Sequence, residues 1–147
     1  VIYLSTGAWN VAPTLDRFMS RHLYPAGTLL LTDWGPTHDR LFRSGRQHKS
    51  DSLARLAREF PRVRWVLIGD DGQHDEELYR AFAAEHPDKV AAIAIRQLST
   101  PEAMLAGGRS HLDEEHPDSG GVPWVWAPDG AGLAEQLARA GILDRDS

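Results

Sequence analysis

The sequence predicts an α/β fold: a mostly parallel sheet held between two helical layers. Three observations point there. Short apolar runs alternate with longer stretches in which apolar residues recur at helical spacing. The short runs are apolar throughout, as strands buried on both faces are. Each run breaks off into glycine, hydroxyl or charged residues, where a crossover to the next parallel strand would begin. At 147 residues the chain reads as one domain with a core of its own. It opens in mid-strand at Val1 with no initiator Met, so it reads as a piece of a longer polypeptide.

In order, Val1-Ile2-Tyr3-Leu4 is the first strand, and Ser5-Thr6-Gly7 follow at once. Pro13 suits the first turn of a helix that runs to about Tyr24. Leu15, Phe18, Met19 and Leu23 share one face of it. Pro25-Ala26-Gly27 breaks the chain. Thr28–Thr32 is the second strand and ends in Asp33-Trp34-Gly35-Pro36. A polar, basic loop is expected over 37–49. Ser50 or Asp51 then caps a helix to about Phe60, with Leu53, Leu56, Ala57 and Phe60 inward. Arg64–Ile68 is the third strand. It delivers Gly69-Asp70-Asp71-Gly72-Gln73-His74-Asp75, and a helix follows over Glu76–Glu85. His86-Pro87-Asp88 stops that helix. Val90–Ile95 is the fourth strand, ending in Arg96-Gln97. Another helix starts at Pro101 and runs to about Ala106. Residues 107–121 are glycine-rich and charged, the pattern of a mobile loop. Val122–Trp126 is the fifth strand, where Pro123 suits an edge or a strand's first residues. Ala131–Ala140 closes the fold as a helix, stopped at Gly141.

Composition excludes several functions. A net charge of -5 argues against nucleic acid, whose partners carry a basic face. With no cysteine there is no disulfide, no thiolate chemistry and no zinc–thiolate site. No apolar run approaches the roughly 20 residues needed to span a bilayer.

Ligands of parallel α/β sheets bind at the carboxyl ends of the strands. Here those ends carry Ser5-Thr6, Asp33-Trp34, Asp70-Asp71, Arg96-Gln97 and Asp129, and all five are expected on one edge, within reach of Lys49. A hydroxyl and free amides suit phosphoryl oxygens. A lysine supplies a point charge for a phosphate. Carboxylates after a buried strand suit a hard cation such as Mg²⁺, completed by substrate phosphate. The plainer reading of the acidic stretch is a solvated turn with Asp75 capping the next helix.

The order strand-Ser, then Lys, then Gly-Asp with a second Asp five residues on, resembles the second to fourth motifs of the haloacid dehalogenase superfamily. Within it, the wording is similar to the actin-patch-type phosphatidate phosphatase catalytic domain. The matching residues are Tyr3 to Asn10, Leu29 to Gly35, His48-Lys49, Leu67 to Tyr79 and Ile93 to Arg96. The resemblance implies a Rossmann-like, three-layer fold and a Mg²⁺-dependent phosphomonoesterase acting on phosphatidate. It implies Ser5, with Thr6 and Gly7, for phosphate binding, and Lys49 for the charge of phosphate and nucleophile. Asp70 and Asp75 surround the metal, with Asp71 beside them. His48, Trp9 and Asp33 are further candidates for the substrate. The other readings are a phosphatase of a small soluble phosphomonoester and a non-catalytic binding or regulatory module.

The family's first motif, Asp-x-Asp-x-Thr, is absent; Asp144-Arg145-Asp146-Ser147 mimics its spacing after a helix, not after a buried strand. The expectation is that the motif and its strand precede Val1. Val1–Leu4 is then expected to pair directly with Arg64–Ile68 across the gap, or the exposed edge to recruit a second copy. Trp9 and Trp34 suit the substrate entrance or the core equally; Trp65, Trp124 and Trp126 suit the sheet. The expected location is the cytoplasm, at a membrane surface if the substrate is a lipid.

Overall fold

The computed structural model describes residues 1–32, 38–72, 74–105 and 121–144, without the side chains of 38–44. Asp33, Trp34, Gln73, Asp146 and nearly all of the 107–121 loop lie outside the described residues. Among those described are five strands, β1 (Ile2–Ala8), β2 (Thr28–Thr32), β3 (Trp65–Asp70), β4 (Val90–Arg96) and β5 (Trp124–Ala127). Five α-helices accompany them: α1 (Ala12–Arg21), α2 (His38–Glu59), α3 (Asp75–Glu85), α4 (Thr100–Leu105) and α5 (Gly130–Arg139). Every strand pairing is parallel, as the sequence predicts.

The strands form two sheets, β1-β2 and β3-β4-β5, in two compact units, Val1–Leu56 and Ala57–Ser147. Among the described residues the ladders include neither one continuous sheet nor the expected direct pairing of the first strand with the third. β1 pairs with β2 alone, and β3 with β4 alone.

In the second unit the three layers are complete. β4 lies in the middle, and Val90, Ala92, Ile93, Ala94 and Ile95 on it are buried. Alternation sends Ala92 and Ala94 to one face, where they meet Val125, Ala127, Leu133 and Leu137 under α5. Ile93 and Ile95 take the other face, in register with Leu67 and Gly69 on β3 and Trp124 and Trp126 on β5. α3 covers that face with Leu78, Tyr79, Phe82 and Ala83 buried. Pro123 precedes β5, and the Trp124 and Trp126 rings stack at 5.4 Å. Asp129 caps α5, accepting from the Gly132 amide at 2.8 Å. Gly141, at φ +70, takes the left-handed position that ends the chain's last helix.

The first unit departs further from expectation. β1 runs on through Ser5-Thr6-Gly7 to Ala8 rather than ending at Leu4. Leu4 pairs with Leu30 but Ala8 with Thr32, so four residues on β1 face two on β2 and the ladder bulges over Ser5–Gly7. The Ser5 Oγ accepts from the Gly7 amide at 3.1 Å, a local bond that stabilises the bulge. The buried Thr32 hydroxyl donates to the Thr6 and Gly7 carbonyls at 3.2 and 3.3 Å. α2 starts at His38, so the basic loop expected over 37–49 is helical from 38 onward. Gly45, within this helix, lies close against β1: a Cβ there would lie 2.7 Å from the Thr6 methyl. Leu53, Leu56 and Ala57 are buried as expected, whereas Phe60 lies beyond the helix and is 44% exposed. α1 follows a 3-10 turn at Trp9–Val11 and has no buried residue, so its apolar face is only half covered. Leu23, at φ 58, follows its end and is 90% exposed.

Candidate functional site

The acidic stretch stands where the sequence places it, at the carboxyl end of β3. Asp70 is the last residue of that strand. Its Oδ1 accepts from the Gly72 amide at 2.9 Å, which turns the chain sharply. Asp75 is the first residue of α3, not its cap: the cap position is His74, and no side chain caps it. Asp75 is thus not the capping residue that the plainer reading made it. The Asp75 carboxylate instead leans back over β3. A Cβ on Gly69 would lie 2.8 Å from Asp75 Cβ, Asp75 Oδ2 and Tyr79 Cε2 alike. Only glycine admits both side chains this close to the strand.

Tyr79 closes the stretch from the helix side. Its hydroxyl donates to the Ile68 carbonyl at 3.0 Å. Burial, then the negative charges of Asp75 and Asp70, hold this phenol protonated well above its ordinary range. The negative charges of both carboxylates thus reach one buried ring.

Asp71 is engaged differently. Its Oδ1 accepts from the Leu98 amide at 2.8 Å, and its own amide donates to the Arg96 carbonyl at 3.0 Å. It fastens the loop after β3 to the loop after β4. Next to Asp75, Glu76 is buried and accepts from Trp126 Nε1 at 3.2 Å. That bond ties the first turn of α3 to β5. Sequence reasoning missed it, although a glutamate at an inward helical position with an indole on a facing strand is its signature. At the end of β4, Arg96 pairs with Glu102, whose carboxylate also accepts from the Ser99 amide and hydroxyl at 2.9 and 2.7 Å. Those Ser99 bonds, chiefly, hold the Glu102 carboxyl below its ordinary range.

Among the described residues, no group of three or more His, Cys, Asp or Glu gathers closely enough to hold a metal unaided. The donor set nevertheless fits Mg²⁺, which takes one or two carboxylates and completes its shell with water and substrate phosphate. Asp70, at the end of β3, and Asp75, at the start of α3, are the two carboxylates that could supply those oxygens.

The phosphate candidates lie in the first unit. Ser5, Thr6 and Gly7 form the bulge of β1. Ser5 Oγ accepts from Gly7, and a hydroxyl so placed still has its proton to donate. Trp9 begins the 3-10 turn and is 64% exposed, which rules out the core. His48 and Lys49 sit on α2, both half-buried. His48 lines a cavity of about 340 Å³ with Leu29, Leu30, Leu31, Asp51, Ser52 and Arg55. Its Nε2 is buried there with no hydrogen-bond partner among the described residues. Ser5 and Lys49 do not line this cavity.

Strand order and acidic stretch define an α/β protein that presents paired carboxylates at the carboxyl end of a parallel strand. The chain belongs to the family of the phosphatidate phosphatase APP1 catalytic domain, whose pattern matches residues 1–97. It is 31% identical over 95 residues to phosphatidate phosphatase APP1 of Saccharomyces cerevisiae, covering 64% of this chain and 16% of that protein. An uncharacterized Schizosaccharomyces pombe protein is 27% identical over 99 residues, covering 67% of this chain and again 16% of the relative. The chain thus spans about a sixth of the length of the curated relatives it matches. No solved structure matches it.

Proposed function

We propose that this chain carries the metal and phosphate residues of a Mg²⁺-dependent phosphatidate phosphatase, which releases diacylglycerol and phosphate. The observation that carries the reading is the Asp75 carboxylate folded over Gly69 beside Asp70. The family supports it through the relative named phosphatidate phosphatase APP1. The same motif order supports membership in the haloacid dehalogenase superfamily.

In this reading each residue has one task. Ser5 and the amides of the β1 bulge hydrogen-bond the phosphoryl oxygens. Lys49 offsets the negative charge that develops there. Asp70 and Asp75 hold the cation, and Tyr79 keeps Asp75 in place. Mg²⁺, when bound, offsets repulsion between phosphate and the attacking carboxylate. That carboxylate belongs to the Asp-x-Asp-x-Thr motif, which residues 1–147 do not contain. Residues 1–147 alone are therefore expected to show no turnover.

The test uses a longer polypeptide that contains this chain, assayed with phosphatidate and with a soluble phosphomonoester. Asp70→Asn should weaken the Mg²⁺ response at least tenfold, and Lys49→Ala should lower turnover by about 10²-fold. Unchanged activity and Mg²⁺ affinity in Asp70→Asn would sink the reading. Hydrolysis of soluble phosphomonoesters with none of phosphatidate would replace the lipid substrate with a soluble one.

A further inference from the structure

α1 is an amphipathic helix whose apolar side is only half covered: Leu15 and Met19 are half-buried and Phe18 is exposed. It has no buried residue, and large apolar side chains crowd its flanks. Trp9 is 64% exposed, Phe18 51%, Leu23 90% and Tyr24 52%. Three of the rings at its carboxyl end form one cluster, with Phe18 4.3 Å from His22 and 6.3 Å from Tyr24 between centroids. Leu23 is held at φ 58, a conformation that residues with a Cβ avoid, and it projects its side chain outward. The cluster at the carboxyl end is an exposed apolar patch, and such patches mark binding surfaces; Trp9 adds an exposed indole before the helix.

The charge beside the patch is basic, although the chain as a whole carries -5. Between Trp9 and Tyr24 stand Arg17, Arg21 and His22 against Asp16 alone. Arg21 and His22 lie three and four residues after Phe18, on the same side of the helix. Aromatic and leucine side chains with arginines beside them are the composition of helices that lie in the plane of a bilayer interface. Trp and Tyr favour that boundary as well. No described helix is long and apolar enough to cross a membrane, so the mode is docking on the surface.

We propose that α1 with Trp9 and the Phe18–Tyr24 cluster is a docking face for an anionic lipid membrane. The proposal rests on the phosphatidate reading for its purpose, since that substrate lies in a bilayer, but its test does not. The chain has no cysteine, so a single Leu23→Cys substitution carries an environment-sensitive dye, and Ala134→Cys on α5 serves as the control. Vesicles of phosphatidylcholine with phosphatidylserine should brighten and blue-shift the Leu23→Cys dye but not the control. Phosphatidylcholine alone should leave both unchanged. Arg21→Glu should weaken vesicle binding by about fivefold or more. Phe18→Ser and, as a second apolar variant whose backbone suits asparagine, Leu23→Asn should each remove most of it with unchanged circular dichroism. Equal dye responses at the two positions would overturn the proposal. So would vesicle binding that survives all three substitutions. A concentration-dependent dimer abolished by Phe18→Ser would assign the face to a second copy, and shielding of the dye in the longer polypeptide would assign it to another segment. These vesicles hold no phosphatidate, so binding reads the surface alone. Hydrolysis of monomeric, short-chain phosphatidate by the longer polypeptide should be unchanged by Phe18→Ser. Its absence in the parent as well would sink the phosphatase reading while leaving the docking face standing.

Discussion

β1 and β4 are both seven-residue strands, both parallel to their neighbours, yet β4 has five buried residues and β1 has none. The difference lies in what flanks them. β4 has a strand on each side and the helices α3 and α5 on its two faces. β1 has one neighbour, a bulge at Ser5–Gly7, and a helix after it that buries nothing. An isolated strand pair is marginal in water; a third strand and a packed face make a sheet independently stable. The residues assigned to phosphate thus stand on a thin core and those assigned to metal on a thick one.

The largest expected effect tests that contrast directly. Ile93, fully buried, should cost about 2–5 kcal/mol when cut to alanine. Leu4→Ala, at a half-buried position of β1, should cost about 1 kcal/mol. Urea denaturation measures both, and equal losses would break the comparison. Amide exchange sharpens it: β1 and β2 should open at lower free energy than β3–β5.

A smaller effect is expected at Gly69. The Cβ of Gly69→Ala meets a carboxylate, its Cβ and an aromatic ring at 2.8 Å, so something must shift. Overpacking of this kind costs about 1–3 kcal/mol. Because the shift displaces Asp75, Mg²⁺ affinity should fall by more than Leu4→Ala makes it fall. Wild-type Mg²⁺ affinity in Gly69→Ala would show that Asp75 need not lie there.

The smallest effect is a pH dependence. Glu102 has its carboxyl held low by Ser99, so the stability it adds is present above the ordinary glutamate range. That stability is lost as pH falls through the folded-state value. The first turn of α4 should therefore fray in mild acid, read as early exchange of the Ser99 and Ala103 amides. Glu102→Gln, which keeps an acceptor but no charge, should remove this pH dependence.

Much of the second unit was legible in the sequence, because local pattern and final environment agree there. The break at Gly69 and the helix that follows the acidic turn stand where the sequence places them, but the run Val66–Ile68 is not buried on both faces as it reads: Leu67 is buried and Ile68 is 63% exposed. The first unit was harder to read. The polar, basic composition of 37–49 reads as a loop, whereas the chain is helical from His38 onward, with Gly45 close against Thr6. Ser5 ends an apolar run, yet the backbone continues as strand because a bulge absorbs the change. α1 has an inward-looking pattern that the fold leaves half covered. At the site, the placement of Asp70 at the end of β3 and of Asp75 at the start of the next helix was legible from the sequence. The bonds of Tyr79 to Ile68 and Glu76 to Trp126 were not, since they join residues that only the register of three strands brings together.

Asp71 has a consequence for how this protein tolerates change in chain length. Its amide and its carboxylate grip the chain at Arg96 and Leu98, two residues apart. The segment from Arg96 to Leu98 is therefore a gauge rather than a spacer. One residue added there would leave Asp71 holding the wrong amide, and the turn that presents Asp70 would move with it. Surface loops ordinarily absorb such insertions at little cost. This one is bound to the spacing of a loop from another strand, so the two can lengthen only together.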